Sequence, residues 1–287
     1  MRGALCALAA AYLLLGCAGP GVLYEEVSPS GTLYVTQEAD GLRTLRFEKN
    51  GARQSVVDPE DPGHLEMPYM RVALAGLALC EQPRRILVVG LGGGALPSFL
   101  RVHYPDAAID AVEIDPQVLD VAKRLFGFRE DARMRAYVGD GREFIEKARE
   151  SSYDVIVLDA FGAHSVPRRL TTLEFLQAVR RALAPGGVAI GNQWKRPQNP
   201  LYDAAVRTYR EAFDQVIVLD VEGYANEVLL ALPRADPVGR DELVERAHRL
   251  AAEKRFRFDL GALVEAGYVQ QPQLSRRARA LRDADFE

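Results

Sequence analysis

The chain has 287 residues, of which 48% are hydrophobic and 26% charged, with a formal net charge of -4. This is the composition of a globular protein of one large or two modest domains, and it excludes a disordered chain. The mildly acidic balance gives no electrostatic footprint for nucleic acid.

The N-terminus, MRGALCALAAAYLLLGCAGPG, has Arg2, an apolar run from Ala4 to Leu15, then Gly16 and Cys17. The run is short for a bilayer span and reads as the h-region of a signal peptide over residues 1–16. "LLGC" resembles a bacterial lipobox. That resemblance implies Cys17 as the first mature residue, a lipid anchor on its thiol and a membrane-anchored lipoprotein on the periplasmic side. Ala18 resembles the sorting residue of outer-membrane lipoproteins. A plain secretory signal or a misassigned start, which would leave a cytoplasmic protein, are the alternatives. Of the three cysteines, Cys6 leaves with the signal and Cys17 carries lipid. Cys80 alone forms no internal disulfide or metal cluster and reads as a small buried residue.

Residues 22–60 alternate in short runs broken by Asp40-Gly41 and Asn50-Gly51, the pattern of a β-hairpin or meander. LEMPYMRVALAGLALCE follows as a helix starting near Met67 or Pro68. From residue 67 to 233 the chain then alternates strand and helix. RILVVG, AAIDAVEID, MRAYVGD, YDVIVLDAF and VAIGNQW are strands, each followed by an amphipathic helical segment. QVIVLDV and NEVLLAL are too close for a crossover and form an antiparallel hairpin. Near-continuous apolar strands with intervening helices specify an α/β fold. The expected architecture is a doubly wound, Rossmann-like sheet of the methyltransferase type with a C-terminal antiparallel hairpin. Residues 234–287 read as a helical, charged and peripheral extension.

Ligands of such sheets bind beyond the carboxyl ends of the strands. Four features fall there: the loop Gly90-Leu91-Gly92-Gly93-Gly94, Glu113, Asp140-Gly141 and Asp159. Glycines let the backbone approach a nucleoside, so Gly90, Gly92 and Gly94 are candidate cofactor contacts. A carboxylate about 20 residues further on can accept both ribose hydroxyls, which is the role open to Glu113. Asp140 can accept from an adenine amine beside the backbone of Gly141, and Asp159 faces the reactive end. Each has a plainer reading: Glu113 as a solvated strand end, Asp140 as a helix cap, Asp159 as a cap or loop-amide acceptor. His164 reads as an exposed loop residue, Trp194 and Tyr224 as wall or core, and Tyr69 as a candidate for the pocket lining. Gly90, Gly92 and Ala95 also fit G-x-G-x-x-A, so a dinucleotide enzyme is a rival. Asp140-Gly141, the terminal hairpin and LAPGGVAI argue against it.

RRILVVGLGGGALP, DAVEIDPQVLDVAK, VGDGREFI and YDVIVLDAFGAHSVPRRLTTLEFLQAVRRALAPGG together resemble the spermidine synthase (polyamine aminopropyltransferase) family, in its divergent bacterial branch. The resemblance runs from about Thr32 to Pro233. It implies transfer of an aminopropyl group from decarboxylated S-adenosylmethionine to a diamine such as putrescine, with no metal. It also implies Asp159 as proton acceptor, Glu113 as ribose ligand and Asp140 with Gly141 as the adenine contact, and it admits a homodimer. Three departures stand out. Gly93 replaces the aspartate that holds the aminopropyl amine, and Gly162 replaces the second aspartate of D-x-x-D-P. The Y-H-E helix motif is absent, with Pro68-Tyr69 near its place. The rival functions are an S-adenosylmethionine-dependent methyltransferase of a small molecule and a non-enzymatic, membrane-anchored polyamine- or nucleoside-binding protein.

Overall fold

The computed structural model describes residues 21–80, 82–162, 166–270 and 272–286. The signal segment with Cys17, and His164, lie outside them. The described residues open with a four-stranded antiparallel meander of β1 (Gly21–Ser28), β2 (Gly31–Gln37), β3 (Arg43–Arg46) and β4 (Ser55–Val57). The Asp40-Gly41 signal makes the β2–β3 turn, where Gly41 takes a φ of 91° and Asp40 accepts from the Leu42 amide. The Asn50-Gly51 signal falls between β3 and β4. Leu33, Val35, Leu45 and Val57 turn inward and join the main core.

Pro68 starts α1 (Pro68–Ala73), as expected from a proline at the first helical position. The single long helix read from the sequence is interrupted: residues Leu74–Leu79 tighten into a 3-10 turn. Here Gly76 presses on Ile190, and a Cβ at this position would collide with that side chain. Tertiary packing thus overrides the helical period.

The α/β unit then runs β5 (Arg85–Val89), α2 (Ala95–His103), β6 (Ala108–Glu113), α3 (Pro116–Leu125), β7 (Met134–Val138), α4 (Gly141–Lys147), β8 (Tyr153–Leu158), α5 (Leu173–Ala182), β9 (Leu183–Trp194), α6 (Tyr202–Ala212), β10 (Gln215–Asp220) and β11 (Asn226–Leu232). It closes with α7 (Arg240–Lys254), α8 (Leu260–Gly267) and the short β12 (Tyr268–Val269). The sheet order is β12-β10-β11-β9-β8-β5-β6-β7. β5 to β9 are parallel neighbours, whereas β11 inserts antiparallel between β9 and β10. The terminal hairpin is therefore present, and β12 adds an edge that the sequence reading did not contain. One apolar layer lies under α4, α5 and α6, and the other under α1, α2, α3, α7 and α8.

The tail differs from its sequence reading in two ways. It is not peripheral, because Leu243, Ala247, Leu260 and Val264 are buried in the main core. Beyond Val269 it contains no α-helix among the described residues. Leu281 is nonetheless buried, and Asp283 clasps Arg142 of α4 with bonds of 2.7 and 2.6 Å. Cys80 is half-buried against the same core. Among the described residues no helix is long and apolar enough to cross a membrane.

Candidate active site

The strand order reverses between β5 and β8, which makes their carboxyl ends the topological switch point. Gly90 ends β5 there with a φ of 96°, and a side chain on it would collide with the Asp159 carbonyl at the end of β8. A cavity of about 620 Å³ opens above this junction. Gly90, Gly92, Glu113, Asp140, Gly141 and Asp159 all line it. Gly94 does not. Its φ of 80° starts α2, and a Cβ there would press on Phe128 at 2.7 Å, so this glycine serves packing rather than the cavity.

Glu113 is 8% exposed, at the end of β6. Its carboxylate accepts from the backbone N–H of Leu91 at 3.0 Å and of Asp115 at 3.1 Å. Burial raises its pKa, and these amides pull the other way. Glu113 therefore holds the glycine loop in shape. An ionised carboxylate has about four acceptor sites, which leaves capacity for ligand hydroxyls.

Asp140 takes the cap reading and adds a second contact. Its Oδ1 accepts from the Arg142 and Glu143 amides at the start of α4. Its Oδ2 meets Arg169 Nη1 at 2.9 Å. Gly141 is dictated by packing, since a side chain there would strike Val89.

Asp159 is the most elaborated group. Tyr69 donates to its Oδ2 at 2.9 Å, and Asn192 Nδ2 donates to its Oδ1 at 2.8 Å. Asn226 in turn donates to Asn192 Oδ1 at 2.9 Å, fixing the amide's orientation. Burial pushes the Asp159 carboxyl up to about 6, opposed by the donors Asn192 and Tyr69. The Tyr69 phenol is itself pushed well above its ordinary value, first by burial and then by the facing carboxylate, so it remains a donor. A carboxylate poised near neutrality in a cavity is the form of a proton acceptor.

Around Asp159 the wall is aromatic. Phe161 and Trp194 pack with ring centroids 5.3 Å apart, and Tyr224 stands on the same rim. Trp194 and Tyr224 are thus cavity wall. The Gly162 position also faces the cavity, whereas Gly93 does not line it. A Cβ at Gly93 would meet Ser55 Oγ and Val57 at 2.9 Å and Phe126 at 3.0 Å. Among the described residues no cluster of His, Cys, Asp and Glu suited to a metal occurs.

Asn192, Asn226, Arg53, Ser55, Phe161 and Arg169 were missed from sequence. A buried polar residue at the end of the apolar strand VAIGNQW was the available signal for Asn192. Arg53 and Ser55 carry no local signal, because they reach the cavity only when the meander docks on the glycine loop.

The model of the spermine/spermidine synthase domain matches residues 67–225. A polyamine aminopropyltransferase of Vibrio vulnificus is 35% identical over 237 residues, 80% of this chain and 78% of that protein. The human eEF1A lysine and N-terminal methyltransferase is 34% identical over 232 residues, 71% of this chain but 33% of that longer protein. Among solved structures, human methyltransferase-like protein 13 in complex with SAH superposes with a TM-score of 0.60 at 32% identity, covering 77% of this chain and 100% of that one. A spermidine synthase in complex with the transition-state analogue AdoDATO gives a TM-score of 0.67 at 21% identity, over 88% and 85% of the two chains, a likeness of fold.

Proposed function

Because the chain belongs to the spermine/spermidine synthase family, a family of enzymes, we propose that it transfers an alkyl group from an adenosyl sulfonium donor to a small amine. The observation that carries this reading is the Asp159 carboxylate at the switch point, held by Tyr69 and Asn192 beside the glycine loop. An alkylamine has a pKa of about 10 and is protonated near neutrality, so it must lose a proton before or as it attacks. Asp159 is charged above about pH 6. It attracts the ammonium, orients it and accepts the proton. The amine nitrogen forms the new N–C bond, the C–S bond breaks, and the sulfur keeps its electron pair as a neutral thioether. Glu113 is placed to accept ribose hydroxyls. Asp140 reaches an adenine amine only on sharing its carboxylate with Arg169.

Two donors fit this chemistry. Decarboxylated S-adenosylmethionine with a diamine such as putrescine is the aminopropyl reading, supported by family membership and the Vibrio relative. S-adenosylmethionine is the methyl reading, supported by the eEF1A methyltransferase relatives and by glycine at 93 and 162. Incubating the protein with each donor and a panel of amines, and assaying methylthioadenosine and S-adenosylhomocysteine, tests both. Either product above the uncatalysed background supports amine alkylation, and neither product refutes it. We further propose that the mature protein is tethered by lipid at Cys17, which the lipobox-like sequence supports.

A further inference from the structure

We infer that Arg53 and Ser55 form a subsite for a carboxylate on the donor's tail, so that the cavity selects a carboxylated adenosyl donor over a decarboxylated one. This rests on the adenosyl-donor reading above. Three observations meet at one corner of the cavity.

The first is charge. Arg53 lies on the β3–β4 connection, is exposed at the cavity wall, and has no ion-pair partner among the described residues. A guanidinium recognises a planar carboxylate by paired N–H donors and repels a tail that carries only an ammonium.

The second is an unsatisfied hydroxyl. Ser55, the first residue of β4, is 1% exposed, lines the cavity, and its Oγ has no hydrogen-bond partner. A buried hydroxyl without a partner calls for a ligand group. Ser55 packs on the glycine loop, 3.3 Å from where a Gly92 Cβ would stand.

The third is the missing counter-charge. Gly93 bears no carboxylate, and the space beside it is filled by Ser55, Val57 and Phe126. Glu113 gives part of its acceptor capacity to the Leu91 and Asp115 amides, and the rest is assigned above to ribose hydroxyls rather than to a tail ammonium. A decarboxylated tail, cationic only, finds a guanidinium here, whereas an amino-acid tail brings its own negative charge to it. With such a donor the group transferred is methyl. The C–S bond to the methyl carbon breaks, the amine nitrogen bonds that carbon, and its proton passes to Asp159. S-adenosylhomocysteine is the thioether product.

Calorimetry on the intact protein tests the subsite with two thioether nucleosides that differ in the tail. S-adenosylhomocysteine has the amino-acid tail and methylthioadenosine lacks it. Wild type should bind S-adenosylhomocysteine about tenfold or more tighter than methylthioadenosine. Arg53→Ala, at an exposed position, should erase most of that ratio while leaving methylthioadenosine affinity unchanged, and Ser55→Ala should reduce it in part. S-adenosylmethionine should outbind its decarboxylated form, and Arg53→Glu should reverse that order. Equal wild-type affinity for both nucleosides, or a ratio unaffected by Arg53→Ala, overturns the subsite while leaving the nucleoside site intact. If neither nucleoside binds, the adenosyl-donor reading falls, and the subsite with it.

Discussion

Tyr69 and Asp159, separated by 90 residues in sequence, meet at 2.9 Å across the cavity, phenol donating to carboxylate. A hydrogen bond to the charged form of an acid favours that form, so this contact lowers a pKa that burial raises. Removing the donor in Tyr69→Phe leaves burial to act with less opposition, and the Asp159 pKa moves up from about 6. The base is active when deprotonated. The acidic limb of the rate profile should therefore shift to higher pH by roughly one to two units, about the worth of one hydrogen bond to a charged group. A kcat profile from pH 5 to 9 measures this. A limb that stays in place or moves down would separate Tyr69 from the base.

Glu113 has two tasks, and two substitutions tell them apart. Glu113→Ala removes both the acceptor for ligand hydroxyls and the anchor of the Leu91 amide. It should weaken methylthioadenosine binding by about 1.5–3 kcal/mol, the scale of hydrogen bonds to a charged group. Glu113→Gln retains one acceptor oxygen and should lose less. Calorimetry gives the affinities, and thermal unfolding shows the cost to the loop. Unchanged affinity in folded Glu113→Ala protein would take Glu113 out of the site.

The two glycines that depart from the family pattern should respond in opposite ways. Gly162 borders the cavity, so Gly162→Asp adds a carboxylate to its wall and should lower the KM or Kd for putrescine. Gly93 is enclosed, and Gly93→Asp must displace Ser55, Val57 and Phe126. That overpacking should cost about 1–3 kcal/mol of stability, without improved diamine binding. Urea unfolding and putrescine titration of both variants check the contrast.

The N-terminal reading is tested by fractionation. Expressed from its own start in a bacterium, the chain should partition with membranes, and Cys17→Ser should block processing or release it. Unprocessed wild-type protein in the cytoplasm, with Met1 retained, would contradict the lipid anchor.

The sheet was legible because its strands are near-continuous apolar runs and its helices amphipathic, with punctuation as clear as Pro116 at the start of α3. The ends of β6 and β8 placed Glu113 and Asp159 at the cavity without any knowledge of packing. The failures have a common origin in tertiary contact. The helix after Met67 tightens because Gly76 abuts Ile190, and the tail joins the core because α7 and α8 cover the face left open by the central helices. Gly94 shares the glycine loop with Gly90 and Gly92, which makes it a candidate ligand contact in sequence, yet in the fold it makes room for Phe128. The side chains that hold Asp159 and the Arg53–Ser55 corner come from elements distant in sequence. No local pattern announces that Asn192, Asn226 and Tyr69 converge.

In the proposed reaction Asp159 accepts a proton from an amine as the amine is alkylated by an adenosyl sulfonium. Asp159→Asn keeps the size of the side chain and removes its charge and basicity. The decisive measurement compares wild type and this variant in single-turnover formation of the thioether nucleoside, with amine and donor supplied, alongside nucleoside affinity. The variant should bind methylthioadenosine or S-adenosylhomocysteine about as well as wild type and form product at least ~10²-fold more slowly, the usual cost of losing a general base. Product formation by Asp159→Asn at the wild-type rate would contradict this role for Asp159.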